Sequence, residues 1–191
     1  MSTLTYPTVR LRELDLGPCI GDGAEQACFE LADSEDVVFK QVNYIEDGDV
    51  LAQNSTELAE KGLAPDVHAI VINDDDAVCG VIVDKCEVIE PLIEDLLDAL
   101  QRNPLPNMDE DDLLSMESDL TSGEYWVIDD CITHGIAEVK WIAEEIDAFF
   151  AAAEDLKYAG LSDMHVFNVG IDKRGDYVCI DTCAYVGGGS L

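Results

Sequence analysis

With 191 residues and a hydrophobic content of 48%, the chain is long enough to bury one core or two small lobes that share a cleft. Its formal net charge of −32 repels nucleic-acid phosphates and anionic membranes, so we expect neither direct nucleic-acid binding nor membrane association. No apolar run approaches the roughly 18 residues of a membrane span, and the first residues lack the apolar core of a secretory signal. We therefore expect a soluble protein of the cytoplasm.

The acidic surplus has three explanations that the sequence leaves open. The 42 acidic residues are spread along the chain and are densest between residues 108 and 119. Such a distribution is typical of a solvated face that keeps a protein soluble. It also fits a protein adapted to high salt, or one that mimics a nucleic acid to occupy a basic protein.

Cysteine usage favours a reducing compartment. The seven cysteines form no C-x-x-C pair, and most of them lie inside apolar, strand-like runs. We therefore expect buried, reduced thiols rather than a disulfide framework or a zinc site.

The first part of the chain predicts a small antiparallel sheet with one helix. Residues 1–16 alternate loosely, as an edge strand does, and a loop with Gly21 and Gly23 leads into two strands, ACFELA and VVFK. A helix is predicted over residues 46–62 from its apolar spacing. The runs VHAIVIN and AVCGVIVD, joined by an aspartate-rich turn, add two more strands.

The second part is predicted to be mainly helical. Helices are predicted over residues 89–101 and 139–158, where apolar residues recur at helical spacing. Residues 102–124 contain two prolines and the acidic run, and predict a mobile insert with at most a short helix at 113–116. Residues 126–135 predict a strand or an extended segment.

The stretch LSDMHVFNVGIDKRGDYVCIDT, which follows the long helix, carries the most informative polar residues. Asp163 and Asn168 form a D-x-x-x-x-N pattern, and Asp181 follows an apolar run after the KRGD turn. That turn predicts a hairpin that brings Asn168 and Asp181 side by side. Phosphoryl transfer requires a carboxylate beside the acceptor, an amide that also ligates metal, and a second carboxylate on the metal. An acid-rich chain also produces such a set by chance, so the complementary phosphate-holding groups decide the interpretation.

The first part of the chain supplies these complementary groups. Gly21 and Gly23 lie at a strand bend, where backbone N–H groups can approach phosphates without obstruction by side chains. Lys40 ends the apolar strand VVFK in a chain that contains few lysines. A lysine on such a strand is the cation that phosphoryl-transfer sites use on the α- and β-phosphates.

Taken in order, the glycine loop, VVFK, DMHVFN and CIDT resemble the motifs of the protein-kinase-like fold. The DMH-x-x-N pattern is also similar to that of aminoglycoside and choline phosphotransferases. The layout is similar in particular to the short early protein kinases of podoviruses, in the D-M-H-x-x-N loop and the non-glycine residue after the metal-binding aspartate. The resemblance covers roughly residues 15–185.

The resemblance implies an α+β, two-lobed protein-kinase-like fold with a truncated, mainly helical C-terminal lobe. Residues 1–86 would form a β-rich nucleotide-binding lobe, and residues 87–191 a helical lobe that carries the catalytic hairpin. It also implies ATP and Mg²⁺ as cofactors. Asp163 would accept the proton of the attacking hydroxyl, and Asn168 and Asp181 would hold the magnesium ion.

The resemblance further implies the groups that bind the nucleotide. Lys40 would bind the α- and β-phosphates under a lid formed by Gly21 and Gly23. Glu57, on the predicted helix, would be the partner acid of the lysine, with Glu60 as the second choice. The segment that begins at Asp84 would be the hinge that reads adenine through backbone groups.

The chain departs from the family pattern at three places. Gln26 replaces the third lid glycine, Ser162 replaces the histidine that usually precedes the catalytic aspartate, and Thr182 and Cys183 follow Asp181 in place of Phe-Gly. Only ten residues remain beyond Asp181, so we expect no activation loop and none of the later helices. These departures leave open how the site covers phosphates and binds an acceptor.

The sequence is therefore consistent with two functions. The first is an ATP- and Mg²⁺-dependent phosphotransferase, a viral serine/threonine protein kinase that modifies host proteins in the host cytoplasm. The second is a non-catalytic, acidic inhibitor that mimics nucleic acid and blocks a basic host protein from a kinase-like scaffold.

Overall fold

The computed structural model describes residues 6–22, 26–106, 108–122, 124–161 and 164–182. The chain divides by its internal contacts into two compact units. Unit 1 comprises Met1–Cys86 and Ile171–Leu191, and unit 2 comprises Glu87–Gly170. The division predicted from the sequence also falls after residue 86, but it leaves residues 171–191 with the helical part.

Unit 1 is built on a six-stranded sheet with one long helix. The elements are β1 (Thr8–Arg10), β2 (Leu16–Asp22), β3 (Gln26–Leu31), β4 (Ser34–Val42), α1 (Gly48–Glu60), β5 (Val67–Ile72) and β6 (Val78–Asp84). The strand order is β1-β5-β6-β4-β3-β2. Every neighbouring pair is antiparallel except β1 and β5, which run parallel. The predicted strands ACFELA, VVFK, VHAIVIN and AVCGVIVD are confirmed as β3 to β6. The edge strand predicted over residues 1–16 is confirmed at β1, but Leu11–Glu13 form a 3₁₀ turn. The prediction of a loop at Gly21 is wrong, because Gly21 pairs with Cys28 as part of β2.

The sheet buries apolar side chains on both faces because successive strand residues point in opposite directions. On one face Val38, Val42, Val81 and Val83 pack with Leu51 of α1. The opposite face is a separate cluster that contains Phe39, Ala69, Val71, Cys79 and Ile82. Phe39 also stacks on Phe29, with ring centroids 6.3 Å apart.

Helix α1 lies close to the sheet at its first residue. A Cβ atom at Gly48 would collide with the backbone carbonyl of Val78, so glycine is required for this approach. Leu51, Ala52, Ser55 and Leu58 form the buried face of the helix. Val50 is also an apolar residue of this helix, but it is 51% exposed because it lies outside the buried face.

A hairpin precedes the end of the described chain. Its strands are β8 (Val169–Ile171), within which the chain passes from unit 2 to unit 1, and β9 (Tyr177–Cys179). Gly175 adopts a φ of 83° in the turn, a conformation that glycine tolerates without strain. The predicted hairpin around the KRGD turn is therefore confirmed.

Asp172 organises the turn of this hairpin. Its carboxylate accepts hydrogen bonds from the backbone N–H groups of Arg174 at 2.8 Å and Asp176 at 3.0 Å. The Nε group of Arg174 donates a third bond at 2.8 Å. Burial raises the pKa of Asp172, but these donors outweigh burial and the pKa lies below its ordinary value.

Unit 2 is mainly helical. Its elements are β7 (Glu87–Val88), α2 (Glu90–Arg102), α3 (Glu110–Thr121), α4 (Trp126–His134), α5 (Ala137–Tyr158) and the start of β8. Helix α5 packs against both α2 and α4, and a short 3₁₀ turn over Val166–Asn168 also contacts α5. The predicted α+β class is confirmed, as are the helices at 89–101 and 139–158.

The prediction of a mobile insert at residues 102–124 is wrong for most of its length. Asp109 caps α3, since its side chain accepts hydrogen bonds from the backbone N–H groups of Asp111 and Asp112. Carboxylates near a helix N-terminus also interact favourably with the helix dipole. Met116 and Leu120 are buried on one face of this acidic helix.

The prediction of an extended segment at residues 126–135 is also wrong. Residues 126–134 form α4, in which Val127, Ile128 and Cys131 are buried. These positions recur at the spacing of one helix face, a signal that the β-branched residues of this segment obscured.

The described residues include no helix that combines the length and the apolar character needed to cross a bilayer.

Replacing Asp172 should test the hairpin turn. Asp172→Asn keeps the size of the side chain but removes its charge, so we expect the free energy of unfolding to fall by about 1–3 kcal/mol at neutral pH. Because the folded-state pKa of Asp172 is lowered, its contribution is present above the ordinary carboxyl range. The difference between the two proteins should therefore shrink as pH falls through the folded-state pKa.

Chemical denaturation of both proteins at pH 7 and near pH 3 measures this difference. Asp176→Asn is the matched control, because the Asp176 side chain is 68% exposed. A difference between parent and Asp172→Asn that stays constant across this pH range would contradict the assigned role of the carboxylate.

Candidate functional site

Lys40 is a charged residue inside the sheet of unit 1. It lies on β4, opposite Cys28 of β3 and Val81 of β6, and only 8% of its surface is exposed. Its ammonium group donates a hydrogen bond to the backbone carbonyl of Ile180. The side chain thus reaches from the N-terminal sheet to the segment that follows β9. A buried ammonium requires such an acceptor.

Residues 180–182, which we call the return segment, are held against α1. The side-chain amide of Asn54 donates to the Thr182 carbonyl at 3.0 Å, and the hydroxyls of Ser55 and Thr182 are 2.7 Å apart. Both side chains on α1 are buried. The sheet, the helix and the return segment are therefore joined by hydrogen bonds on both sides of Asp181.

Asp181 accepts a hydrogen bond from Gln26, the residue that stands in place of the third lid glycine. The Nε2 group of Gln26, the first residue of β3, donates to Asp181 Oδ1 at 3.0 Å. Gln26 and Asp181 are separated by 155 residues in sequence. The only sequence signal was that glutamine occupies a position where the family pattern has glycine.

The positive charge of Lys40 acts on the pKa of three neighbouring thiols. Burial raises the pKa of Cys179 to about 11 and that of Cys28 above its ordinary value, and Lys40 opposes both shifts. Burial also raises the pKa of Cys86 to about 12, although the positive charge of Lys40 acts to lower it. These thiols remain protonated and weakly nucleophilic at neutral pH.

Glu57, the predicted partner of Lys40, is bonded within its own helix. Its carboxylate accepts a hydrogen bond from the side-chain amide of Gln53 at 2.8 Å. Lys40 donates to Ile180 in this arrangement. A pair between Lys40 and Glu57 stays a prediction for the nucleotide-bound protein.

Asp84 lies at the end of β6, and its carboxylate is almost fully buried. His68 Nε2 lies 2.7 Å from one of its oxygens, and the ammonium of Lys173 lies 2.8 Å from the other. The backbone N–H of Asp84 donates to the Asp66 carbonyl, and that of Lys85 to the Asp36 carbonyl. Recognition of adenine by these two residues would therefore use their carbonyl groups.

The remaining predicted site residues lie as follows. Gly21 is an exposed residue of β2, opposite Cys28, while Gly23 and Asp163 fall outside the described residues. Asn168 belongs to unit 2, where it ends the 3₁₀ turn and its backbone N–H donates to the His165 carbonyl at 2.9 Å. The predicted pairing of Asn168 with Asp181 stays a prediction.

Unit 2 contains a groove of about 840 Å³ beside the 3₁₀ turn. Its walls include Tyr125, Asp147, Phe150, Glu154 and His165. The Tyr125 hydroxyl donates to Asp147 at 2.7 Å, and the Tyr125 and Phe150 rings meet edge to face with centroids 5.4 Å apart. The groove thus combines aromatic rings with two carboxylates, a lining that suits a cationic ligand.

Comparison with known proteins gives only distant structural likenesses. No protein-family model and no curated protein matches the chain. The chain is similar to an apo pseudokinase at 11% identity and a TM-score of 0.40, covering 95% of this chain and 61% of that one. It is also similar to the pseudokinase drought responsive inactive kinase 1, at 10% identity and a TM-score of 0.42, with 94% and 63% covered.

A third likeness is to an aminoglycoside phosphotransferase from Alicyclobacillus acidocaldarius, at 13% identity and a TM-score of 0.35, with 90% and 63% covered. The chain thus spans less than two thirds of the length of each of these three proteins. Likenesses at this level assign neither a family nor an activity.

Replacing Lys40 should separate a nucleotide-binding role from a structural one. Lys40→Met keeps the apolar stem but removes the charge, so we expect the affinity for Mg²⁺-ATP to fall about tenfold or more, the value of one charge-assisted hydrogen bond. Lys40→Arg should recover only part of it, because a guanidinium is a planar fork rather than a compact charge.

Isothermal titration calorimetry with Mg²⁺-ATP measures both variants, and Lys140→Met, at an exposed position on α5, is the control. Equal affinities for the parent, Lys40→Met and Lys40→Arg would remove Lys40 from the site and leave it a structural residue.

Proposed function

We propose that the chain is an ATP- and Mg²⁺-dependent phosphotransferase with a protein-kinase-like fold. In particular, we propose a viral serine/threonine protein kinase that modifies host proteins in the host cytoplasm. The observation that carries the proposal is the contact between Lys40 and the return segment, where Asp181 follows the carbonyl that the lysine binds. The residues that we propose bind phosphate and metal, Lys40 and Asp181, are distant in sequence, and this contact within unit 1 supports their joint role.

The donor set of unit 1 fits a hydrated magnesium ion. Among the described residues, no three carboxylate, thiol or imidazole groups gather at a spacing that would enclose a metal. Magnesium rarely uses such a cage, because it keeps several waters and takes one or two carboxylates together with phosphate oxygens. Asp181 would supply one carboxylate, and Gln26 has a buried oxygen beside it that lacks a partner in the described chain.

Each proposed role follows from the chemistry of the residue. Bound Mg²⁺-ATP would supply the transferable phosphoryl group and the cationic charge that neutralises it. Lys40 would bind the α- and β-phosphates beneath Gly21 and Gly23. Asp181, with Asn168, would hold the magnesium ion.

The remaining steps involve the acceptor and the base. Asp163 would accept the proton of the attacking hydroxyl. Glu57 would orient Lys40, and the segment at Asp84 would contact adenine. The groove beside His165 would receive the acceptor, and its two carboxylates favour a polypeptide with basic residues near the hydroxyl.

Transfer should depend on Asp163. Removing a general base typically slows transfer by about 10²–10⁴-fold, so Asp163→Ala should reduce both autophosphorylation and phosphorylation of an added protein by this amount. Labelled ATP and casein provide the assay. Asp155→Ala, at an exposed position on α5, removes a carboxylate elsewhere and should leave the rate unchanged. Equal rates for the parent and Asp163→Ala would exclude the proposed mechanism.

The second candidate is the acidic inhibitor, and one observation favours it. The net charge of −32 is suited to a basic partner. Helix α3 presents part of this charge, with Asp111 and Glu117 exposed on its surface.

Salt dependence distinguishes the two candidates. An inhibitor that mimics nucleic acid should bind polyarginine with an affinity that falls steeply with salt, and Asp111→Asn combined with Glu117→Gln should weaken it further. Our preferred proposal predicts little change in the rate of casein phosphorylation for this double variant. Loss of polyarginine binding in the double variant, with no transfer by the parent protein, would favour the inhibitor.

A further inference from the structure

The amide of Gln26 has one satisfied end and one unsatisfied end. Its Nε2 group donates to Asp181 Oδ1 at 3.0 Å. Its Oε1 atom is buried and has no hydrogen-bond partner in the part of the chain that the structure describes. This orientation of the amide follows from Asp181, because an ionised carboxylate accepts hydrogen bonds and cannot donate one.

A buried carbonyl oxygen without a donor is unfavourable, and native proteins retain few of them. Fold stability alone would be served by an apolar side chain of similar size at this position. The unsatisfied oxygen is therefore informative, since it lies beside the carboxylate that the proposed function assigns to metal. Within the described residues this oxygen has no hydrogen-bond donor, so it is available to a ligand.

The two oxygens suit a hydrated divalent cation. Carboxylate and amide oxygens are hard donors of the kind that Mg²⁺ prefers, and each water bound to Mg²⁺ is a hydrogen-bond donor. A second protein shell that orients a metal-binding carboxylate is a common feature of metal sites. Gln26 can orient the Asp181 carboxylate through its Nε2 group and accept a hydrogen bond from metal-bound water through its Oε1 atom.

We propose that Gln26 is a positioning residue of the magnesium site. Its Nε2 group fixes the rotamer of Asp181, and its Oε1 group accepts a hydrogen bond from the hydration shell of the ion. This inference rests on the proposed function and extends it, because the glutamine that replaces the third lid glycine links the start of β3 to the metal-binding acid.

The return segment completes the arrangement. Asn54 and Ser55 hold Thr182 from α1, and Gln26 holds Asp181 from β3. Asp181 is thus oriented by contacts from two elements before any ligand binds. A purely structural Gln26 would contribute to stability but would not change the dependence on magnesium.

The test compares Gln26→Leu with the parent by calorimetric titration of Mg²⁺ at saturating ADP and, separately, of ADP without metal. We expect the Mg²⁺ affinity to fall roughly 10–100-fold, as for other residues that orient metal ligands, while ADP binding without metal changes little. Gln26→Glu keeps an oxygen at the Oε1 position but loses the donor to Asp181, so it should recover only part of the Mg²⁺ affinity. Gln41→Leu, a half-buried position of β4, is the matched control.

The outcomes are distinguishable. Unchanged Mg²⁺ affinity in Gln26→Leu, with a lowered melting temperature, would overturn the inference and make Gln26 a structural residue. Equal losses in Gln26→Leu and Gln41→Leu would overturn it as well. Absence of any Mg²⁺-dependent ADP binding by the parent would overturn both this inference and the proposed function. If Gln26→Leu does not fold, Gln26→Asn provides the same comparison, because its shorter side chain withdraws the amide from Asp181.

Discussion

The burial of the Lys40 ammonium group is the constraint on which the arrangement of unit 1 depends. A buried cation is costly unless an acceptor is supplied, and the residues directly opposite Lys40 on the neighbouring strands, Cys28 and Val81, carry no oxygen acceptor on their side chains. The Ile180 carbonyl supplies the acceptor from a distant part of the sequence. The return segment therefore belongs with the N-terminal sheet, and the contacts of Thr182 with α1 fix its register.

Much of the fold was predictable because its signals are local. Apolar strand-like runs predicted β3 to β6 of unit 1, and helical spacing predicted α1, α2 and α5. Strand β2 was missed because Gly21 was assigned to a loop. Helices α3 and α4 were missed for different reasons. The prolines and the acidic run before and within α3 favoured an irregular segment over a helix capped by Asp109. The β-branched residues of α4 favoured a strand over a helix with a buried face around Ile128.

The candidate site was predictable only where a residue type is unusual for its position. Lys40 and Asp181 stood out as charged residues at the ends of apolar runs. The role of Gln26 could not be derived, because it depends on a contact across 155 residues. The engagement of Asp84 with His68 and Lys173 was equally hidden, since each partner lies on a different strand or turn.

The membership of unit 1 has a consequence for the order of folding. The sheet precedes unit 2 in the chain, but the acceptor for Lys40 and the partners of Asn54 and Ser55 are translated after unit 2. Contacts between such distant segments form late and slow the search for the native state. Unit 2 is a continuous segment and can fold while it emerges from the ribosome, whereas the assembly of the site has to follow the synthesis of residue 182. Nascent and prematurely terminated chains would therefore carry a sheet with an unpaired lysine, which makes them natural clients for chaperones and proteases.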